Sequence, residues 1–453
     1  MYERPSPVKY GQLWYLVSVL VILTTAGCKE EQPVAGGPPA PPDSMQIIRE
    51  SFSSAALCGT CHPTHFAEWE TSMHAYAMTD PVFLRLQEIG QERSGNSLDQ
   101  FCVKCHTPLG SLLQETPPGF DPASLTPLAA DAIHCDVCHR IESFDRGRAI
   151  KSLSLDKVRQ GPITDPQANG FHESRYDARY ADSGICSPCH DILSDDGLLI
   201  EMTSTEWDLS AYSAMGLECQ ACHMPVYSGS AAVGSPARSN LHRHFFTGVD
   251  YPLTSFPGKL NTIAMVDDLL KNSISLTVSL PASVSAGDTL DLAVSLLNSR
   301  TGHSIPSGSA FERQMWVEVV VTQVSSGDTV FTSGLLDGNL DLMNHHSEFV
   351  TSGAVEEDLH LALYRNIPRK NGEEILFFWE ADEILLESIP AFQTSVPRYP
   401  VPAPATGGTL QVSVRVLFRT FPPYFLRTID LPELVDELIV FEMESFNGTV
   451  TVL

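Results

Sequence analysis

Ten of the eleven cysteines in this 453-residue chain form five pairs; in every pair two residues separate the cysteines and a histidine follows directly. A Cys-x-x-Cys-His motif is the attachment signal of a c-type haem, because the two thiols bond to the porphyrin and the imidazole binds the iron. The attaching cysteines are Cys58, Cys61, Cys102, Cys105, Cys135, Cys138, Cys186, Cys189, Cys219 and Cys222. The iron-binding histidines are His62, His106, His139, His190 and His223. The sequence therefore predicts five haems c, each with its iron.

Two other uses of Cys-x-x-Cys pairs fit this pattern less well. Structural zinc sites commonly combine two such pairs, and here the number of pairs is odd. A thioredoxin-type redox pair does not require the histidine that follows every pair in this chain. The motifs use every cysteine except Cys28, so no thiols remain for a disulfide framework.

The second ligand of each iron must come from elsewhere in the chain or be absent. Iron with two histidines is a low-potential electron carrier, iron with histidine and methionine has a higher potential, and open iron binds small molecules. Ten histidines lie outside the motifs, since the chain has 15 histidines and the motifs use five. The candidates for second ligands are His74, His172, His244, His303 and His134.

The position of His74 predicts that it binds a neighbouring iron. A helix is predicted from Pro63 to His74, and twelve helical residues would carry His74 about 18 Å from His62. Both histidines could bind one iron only if that helix broke. His65 lies one turn from His62 on the same helical face, so it is expected to pack nearby rather than to bind iron.

The other candidates are placed by their distance from the motifs. His172 precedes the fourth motif, and His244 follows the fifth, with His242 as the alternative to His244. His134 directly precedes the third motif, where it could reach an adjacent iron or serve only in packing.

The N-terminus has the features of an export signal. Arg4 and Lys9 precede an apolar run at 13–23. This run would span about 16 Å as a helix, which is too short for a bilayer core of about 30 Å. Residues 1–27 are therefore predicted to be a signal peptide.

The sequence Ala-Gly-Cys that ends at Cys28 is similar to a bacterial lipoprotein cleavage site. We expect Cys28 to become the lipidated first residue, with an ordinary signal peptide as the alternative. Both interpretations export the chain, as haem c requires. Lys29 stands where aspartate would favour the inner membrane, so an outer-membrane lipoprotein that faces the periplasm or the exterior is expected.

The remaining chain divides by composition into three segments. Residues 28–46 are rich in proline and glycine and read as a tether. Residues 47–260 contain all five motifs and are predicted to be a pentahaem domain, mostly helical or irregular, with a short helix after each motif and porphyrins as its core. Residues 270–453 are predicted to be a β-sandwich domain.

Alternating apolar residues support the sandwich. Period-two alternation occurs at 274–280, 290–296 and 409–418, and a valine-rich run occupies 315–322. Turn-separated strands of this kind are typical of an antiparallel sandwich. The predicted fold class is thus a multidomain α+β protein: a haem-wrapped domain followed by an antiparallel β-sandwich.

The net charge excludes one class of partner. The chain has 28 basic and 55 acidic residues, a formal charge of −27. Nucleic-acid binding needs a cationic surface, so no nucleic acid is expected as a partner. An acidic surface is compatible with docking to a basic patch on another redox protein, such as a cytochrome or a membrane oxidoreductase, or with simple solvation.

Two patterns resemble a known family. The arrangement C-x-x-C-H-x6-W-x2-S-x-H, from Cys58 through Trp69 and Ser72 to His74, resembles the cytochrome c554-type multihaem family, and Glu206-Trp207 followed by CQACHMP is similar to a late motif of that family. The resemblance covers roughly residues 50–250. It implies closely packed haems in parallel and perpendicular pairs, mostly with two histidines per iron, that transfer electrons. Its best-known members carry four haems.

The sandwich segment contains two further histidine patterns. Residues 302–308 resemble a G-H-x-x-P-[ST]-G motif that follows the haem region in related multihaem proteins. A rigid loop of this kind suits His303 for reaching across to an iron, although a turn histidine is the alternative. His345 and His346 could bind a metal ion or form a polar loop, and His360 is expected to face solvent.

These features support three functions. The first is a lipid-anchored, non-catalytic carrier that moves electrons through five haems at the cell envelope. The second is a haem enzyme with one open iron that acts on nitrite or hydroxylamine. The Cys-x-x-Cys-Lys variant of pentahaem nitrite reductases is absent, but the resembled family does include a five-coordinate haem. The third is a binding role for the sandwich, in which the haems would be incidental.

Overall fold

A computed structural model describes residues 42–453. The predicted signal peptide, Cys28 and most of the predicted tether lie outside the described residues. Helix α1 begins at Pro42, so the last residues of the segment predicted as a tether, 42–46, are helical. Within residues 42–453 no helix combines the length and the apolar character needed to cross a membrane.

Helices dominate the first half of the described chain. They are α1 (Pro42–Ser51), α2 (Ala55–Gly59), α3 (Pro63–Trp69), α4 (Met73–Tyr76), α5 (Pro81–Ser94), α6 (Val103–His106), α7 (Pro108–Leu112), α8 (Pro127–Ala130), α9 (Cys135–Cys138), α10 (Ser187–His190), α11 (Thr203–Asp208), α12 (Ala211–Ala214), α13 (Cys219–His223) and α14 (Lys259–Lys271). Proline in the first turn and a capping side chain before it start several of them, as at Asp80 and Pro81 of α5.

Short strand pairs connect these helices. The strands are β1 (Ile141–Phe144), β2 (Ile150–Leu153), β3 (Val158–Gly161), β4 (Glu173–Tyr176), β5 (Ile192–Leu193), β6 (Leu199–Glu201), β7 (Val226–Ser230) and β8 (Ala237–His242). They form the pairs β1–β2, β3–β4, β5–β6 and β7–β8, of which only β3–β4 is parallel.

The positions of the short helices agree with the prediction only in part. Helices α3 and α7 follow the first and second motifs, whereas α6, α9, α10 and α13 cover motif residues themselves. The reason is geometric: positions i, i+3 and i+4 of a helix share one face, so a helical motif directs both cysteines and the histidine to the same side. The connections that we expected to be irregular contain the four strand pairs.

The second half is built mainly of strands. They are β9 (Ser275–Ser279), β10 (Ser283–Val284), β11 (Thr289–Leu297), β12 (Gln314–Gln323), β13 (Thr329–Ser333), β14 (Ala362–Tyr364), β15 (Asn366–Lys370), β16 (Glu373–Glu374), β17 (Glu383–Leu386), β18 (Thr394–Ser395), β19 (Arg398–Pro402), β20 (Gly408–Arg419) and β21 (Phe441–Val452). The helices in this half are α15 (Glu348–Thr351) and α16 (Pro423–Thr428).

Two sheets enclose the main core. One sheet has the order β10-β21-β20-β12-β13, with β14 also paired to β12, and the other joins β9, β18 and β19 to β11. Apart from the short parallel pair β10–β21, the pairs in these sheets are antiparallel. The alternating apolar residues that predicted the strands face this core, for example Leu292, Val317 and Val414, each fully buried. The α+β fold class is therefore confirmed.

The two halves also share this core. Val82 and Ile89 of α5 belong to it, as do Tyr251 and Leu253 in the segment before α14. Helix α14 itself crosses the interval between the two predicted domains, and its Val266 and Leu270 are buried in the same cluster. This packing holds the helical half against the sheets and brings loops of the sheet half close to the motifs.

Candidate haem-binding site

The ten motif cysteines are available for covalent attachment. None of those in residues 42–453 forms a disulfide. Their sulfurs adjoin across different motifs: Cys58 contacts Cys135, Cys105 contacts Cys189, and Cys186 contacts Cys219. The first motif therefore lies beside the third, and the fourth lies beside both the second and the fifth.

Four of the motif histidines face a second imidazole at one characteristic distance. With metal–nitrogen bonds of about 2 Å, two imidazoles on opposite sides of one metal place their ring centroids about 6 Å apart. The observed separations are 6.2 Å for His62 and His172, 6.4 Å for His139 and His244, 6.2 Å for His190 and His74, and 6.3 Å for His223 and His303.

Hydrogen bonds orient six of these eight rings for metal binding. Nδ1 of His62 lies 2.7 Å from the carbonyl oxygen of Ala231, and Nδ1 of His223 lies 2.6 Å from that of Thr247. A carbonyl oxygen can only accept, so Nδ1 carries the proton and Nε2 is the ligand atom. Nδ1 makes the same kind of bond, to a backbone carbonyl, in His139, His172, His244 and His303.

Burial favours the neutral form of several of the paired imidazoles, which is the form that metal ligands must have. Burial lowers the pKa of His74 and of His244 to about 3. It lowers the pKa of His139 and of His303 as well. The donor set, its orientation and its protonation state therefore fit haem c, and the ring separations fit iron with two histidines.

His74 reaches the fourth motif because the predicted helix is broken. Helix α3 ends at Trp69 and α4 starts at Met73, so the prediction of one helix to His74 is wrong. Ser72 causes the restart: its hydroxyl donates to the carbonyl of Trp69 and accepts from the first turn of α4. The indole of Trp69 in turn donates to the carbonyl of Ile133 at 2.8 Å, which anchors the break beside the third motif.

The loop at 302–308 holds His303 against the fifth motif. Glu206 in α11 accepts hydrogen bonds from the backbone of Ser304 at 3.1 Å and from the hydroxyl of Ser307 at 2.6 Å. Gly302 approaches α11 so closely that a Cβ would lie 3.2 Å from Trp207. The sheet half thus places a histidine opposite a motif histidine of the helical half.

The buried carboxylate of Glu68 positions His244. Glu68 is 4% exposed and pairs with Arg243 at 2.5 Å. Its other oxygen accepts the backbone N–H of His244 at 2.8 Å. Arg243 also lies 4.0 Å from the ring of Tyr227, whose hydroxyl is 2.9 Å from Nε2 of His65. His65 therefore packs beside His244 in this network, which matches its expected role.

The second motif differs from the other four. Phe83 packs flat against the imidazole of His106, with ring centroids 3.7 Å apart. The four imidazole pairs include neither His106 nor His134. His134 is 1% exposed and buries both ring nitrogens without a hydrogen-bond partner among the described residues. The fifth candidate ligand is thus buried near the third motif but is not brought to a motif histidine, and His242 is likewise outside the four pairs.

Comparison with known proteins agrees with this geometry. Residues 57–140, which include the first three motifs, match the family of cytochrome c554 and c-prime. The predicted resemblance to multihaem c-type cytochromes is confirmed. The fold of this chain is similar to the crystal structure of a penta-heme cytochrome c552 from Thermochromatium tepidum, with a TM-score of 0.62, 16% identity, and coverage of 88% of this chain and 99% of that chain. No curated protein matches the sequence.

Sequence reasoning missed the residues that position the ligands. Glu68 and Glu206 are buried or partly buried carboxylates that face polar groups far away in the sequence. Glu206 stands in a motif that was noted for its resemblance, but nothing in the sequence connects it to the loop around His303. Phe83 is one apolar residue of an ordinary helix, and only the fold shows its contact with His106.

Proposed function

We propose that this multihaem cytochrome carries electrons through five haems c at the cell envelope. The observation that supports this function best is the set of four imidazole pairs, each at the separation that two ligands of one metal require. When bound, haem with two histidines supplies one-electron, low-potential redox chemistry. The five motifs would hold the groups through ten cysteines and five histidines, with His172, His244, His74 and His303 as second ligands.

The order of the attachment sites supports a linear path with one branch. The first motif adjoins the third through Cys58 and Cys135, and Cys138 of the third lies close enough to influence the fourth electrostatically. The fourth adjoins the fifth through Cys186 and Cys219. The path therefore runs first, third, fourth, fifth, and the second motif lies to the side of the fourth.

Export and lipid anchoring are part of the proposal. The signal-peptide pattern of residues 1–27 and the cleavage-site pattern at Cys28 support a lipoprotein, and haem c is compatible with an exported protein. The charge of −27 supports docking to a basic face of another redox protein.

Mass spectrometry of the membrane-extracted protein tests the composition. The expected mature chain begins at Cys28, carries lipid and contains five haems. A chain with fewer haems, or one that begins elsewhere without lipid, would contradict the corresponding part of the proposal.

A second function, reaction at one open iron, is favoured by the surroundings of His106. Phe83 covers the face of its imidazole, and no second imidazole stands at the metal-ligand distance among the ring pairs of the described residues. The iron held by His106 would then bind a small nitrogen compound such as nitrite or hydroxylamine, fed with electrons from the fourth site beside it.

Low-temperature EPR, repeated with nitric oxide after reduction, separates the two functions. A pure carrier gives only low-spin signals and no nitrosyl haem. A high-spin signal that converts to a nitrosyl species supports the second function, which then requires turnover of nitrite or hydroxylamine. The variant Phe83→Leu removes the aromatic ring stacked on His106, so it should change that signal and leave the low-spin signals of the four imidazole pairs unchanged.

A further inference from the structure

A group of metal-binding side chains lies in the sheet half, apart from the haem motifs. His345 and His346 precede α15, and Glu374 belongs to β16. Nε2 of His345 lies 3.2 Å from one carboxylate oxygen of Glu374, and Nε2 of His346 lies 3.0 Å from the other. The candidate ligand atoms of the three residues all lie within 4.8 Å of one another.

These separations are those of ligands around one small cation. Ligands bound at about 2 Å in tetrahedral geometry stand about 3.3 Å apart. Two imidazoles and a carboxylate are a common donor set for zinc and other divalent first-row metals, and such sites leave a further position for water or another ligand. The nearby cavity of about 180 Å³, lined in part by His346 and Glu374, provides room for that ligand.

Neighbouring side chains hold these ligands in place. The imidazole of His346 stacks on the ring of Tyr424 with centroids 4.1 Å apart. Arg365 is 5% exposed and pairs with Glu374, while its Nη2 lies 3.2 Å from Nε2 of His346. Hydrogen bonding to a ligand carboxylate is the usual way in which outer residues orient a metal site. Arg365 is also the competing cation, because it already neutralises the carboxylate.

We propose that His345, His346 and Glu374 bind one divalent first-row transition-metal ion, of which zinc is the expected example. This site is additional to the haem irons and independent of them. His345 is the most exposed ligand, with 59% of its side chain accessible, so it closes the site from the solvent side.

The test uses the haem-loaded protein after removal of loosely bound metal with a chelator. Zinc is titrated by calorimetry, and zinc is then measured against haem iron by elemental analysis. We expect one zinc ion per chain in the wild type. His345→Ala should weaken zinc binding by about tenfold or more, since losing a ligand should exceed the smallest effects seen for outer-shell residues. Because His345 is exposed, this variant should fold normally.

His360→Ala is the matched control, because His360 is an exposed histidine of the same half that is not part of the cluster. It should bind zinc like the wild type. Copper(II) EPR with nitrogen hyperfine structure from two imidazoles, lost in His345→Ala, would support the same site. The absence of zinc binding in the wild type, or equal zinc binding in His345→Ala, would overturn the proposal and leave Glu374 as the ion-pair partner of Arg365 only.

Discussion

Replacing His303 by alanine should open one iron without disturbing the others. The imidazole of His303 lies 6.3 Å from that of His223, and the loop that carries it is held independently by Glu206. Two hydrogen bonds to a carboxylate contribute about 1.5–3 kcal/mol each, so the loop should keep its position when the imidazole is removed. The change is therefore expected at the ligand, not in the fold.

The size of the effect follows from the number of pairs. Each imidazole pair accounts for one of the five irons, so His303→Ala should convert about one fifth of the haem iron from low-spin to high-spin. Low-temperature EPR and magnetic circular dichroism measure this change. The reduced variant should also bind carbon monoxide at one additional iron.

Added imidazole provides the decisive measurement. It should enter the space left by His303 and restore the low-spin signal, which a merely structural role of His303 would not produce. His360→Ala, at an exposed histidine, should leave both the signal and carbon monoxide binding unchanged. An unaltered low-spin fraction in His303→Ala would refute the assignment of this pair.

Three further substitutions test the residues around the ligands. Gly302→Ala places a Cβ 3.2 Å from Trp207, so it should displace the loop that carries His303. In EPR, this variant should show a smaller high-spin signal than His303→Ala. Glu68→Gln weakens the hydrogen bond to the backbone of His244 and should lower the free energy of unfolding by about 2 kcal/mol. The measurement is a lower thermal unfolding midpoint. Burial raises the pKa of Glu312 to about 8 from 4.5. The stability that its protonated carboxyl group contributes is therefore fully present below about pH 4.5 and is lost as the pH rises towards 8. Glu312→Gln should therefore flatten the fall in unfolding midpoint over that range, whereas an unchanged pH profile would contradict the buried, protonated state.

Local patterns account for what the sequence could predict. A haem-attachment motif is five consecutive residues, and strand alternation at 290–296 or 409–418 is a repeat of two, so neither needs knowledge of the fold. Both predicted strands are observed, as Thr289–Leu297 and Gly408–Arg419. The prediction of one helix up to His74 was wrong because helix α3 ends at Trp69 and the side chain of Ser72 caps a new helix, α4.

The pairing of ligands was beyond the sequence because it depends on distant contacts. His172 and His244 were both identified as candidates, but only the fold places the first opposite His62 and the second opposite His139. His134 differs: its position beside the third motif suggested a ligand, but it belongs to none of the four imidazole pairs, and its buried ring nitrogens have no hydrogen-bond partner among the described residues.

The two halves differ in what stabilises their folded structure. The members of each imidazole pair lie on the order of a hundred residues apart, so each pair closes a long loop whose entropy cost must be offset. In the helical half the apolar clusters are small, for example the five buried residues around Leu109 and Val137. The sheet half instead has a large continuous core that includes Leu292 and Val414. Haem attachment should therefore be the main source of order around the motifs, whereas the sheets can hold the loop of His303 ready for the fifth site.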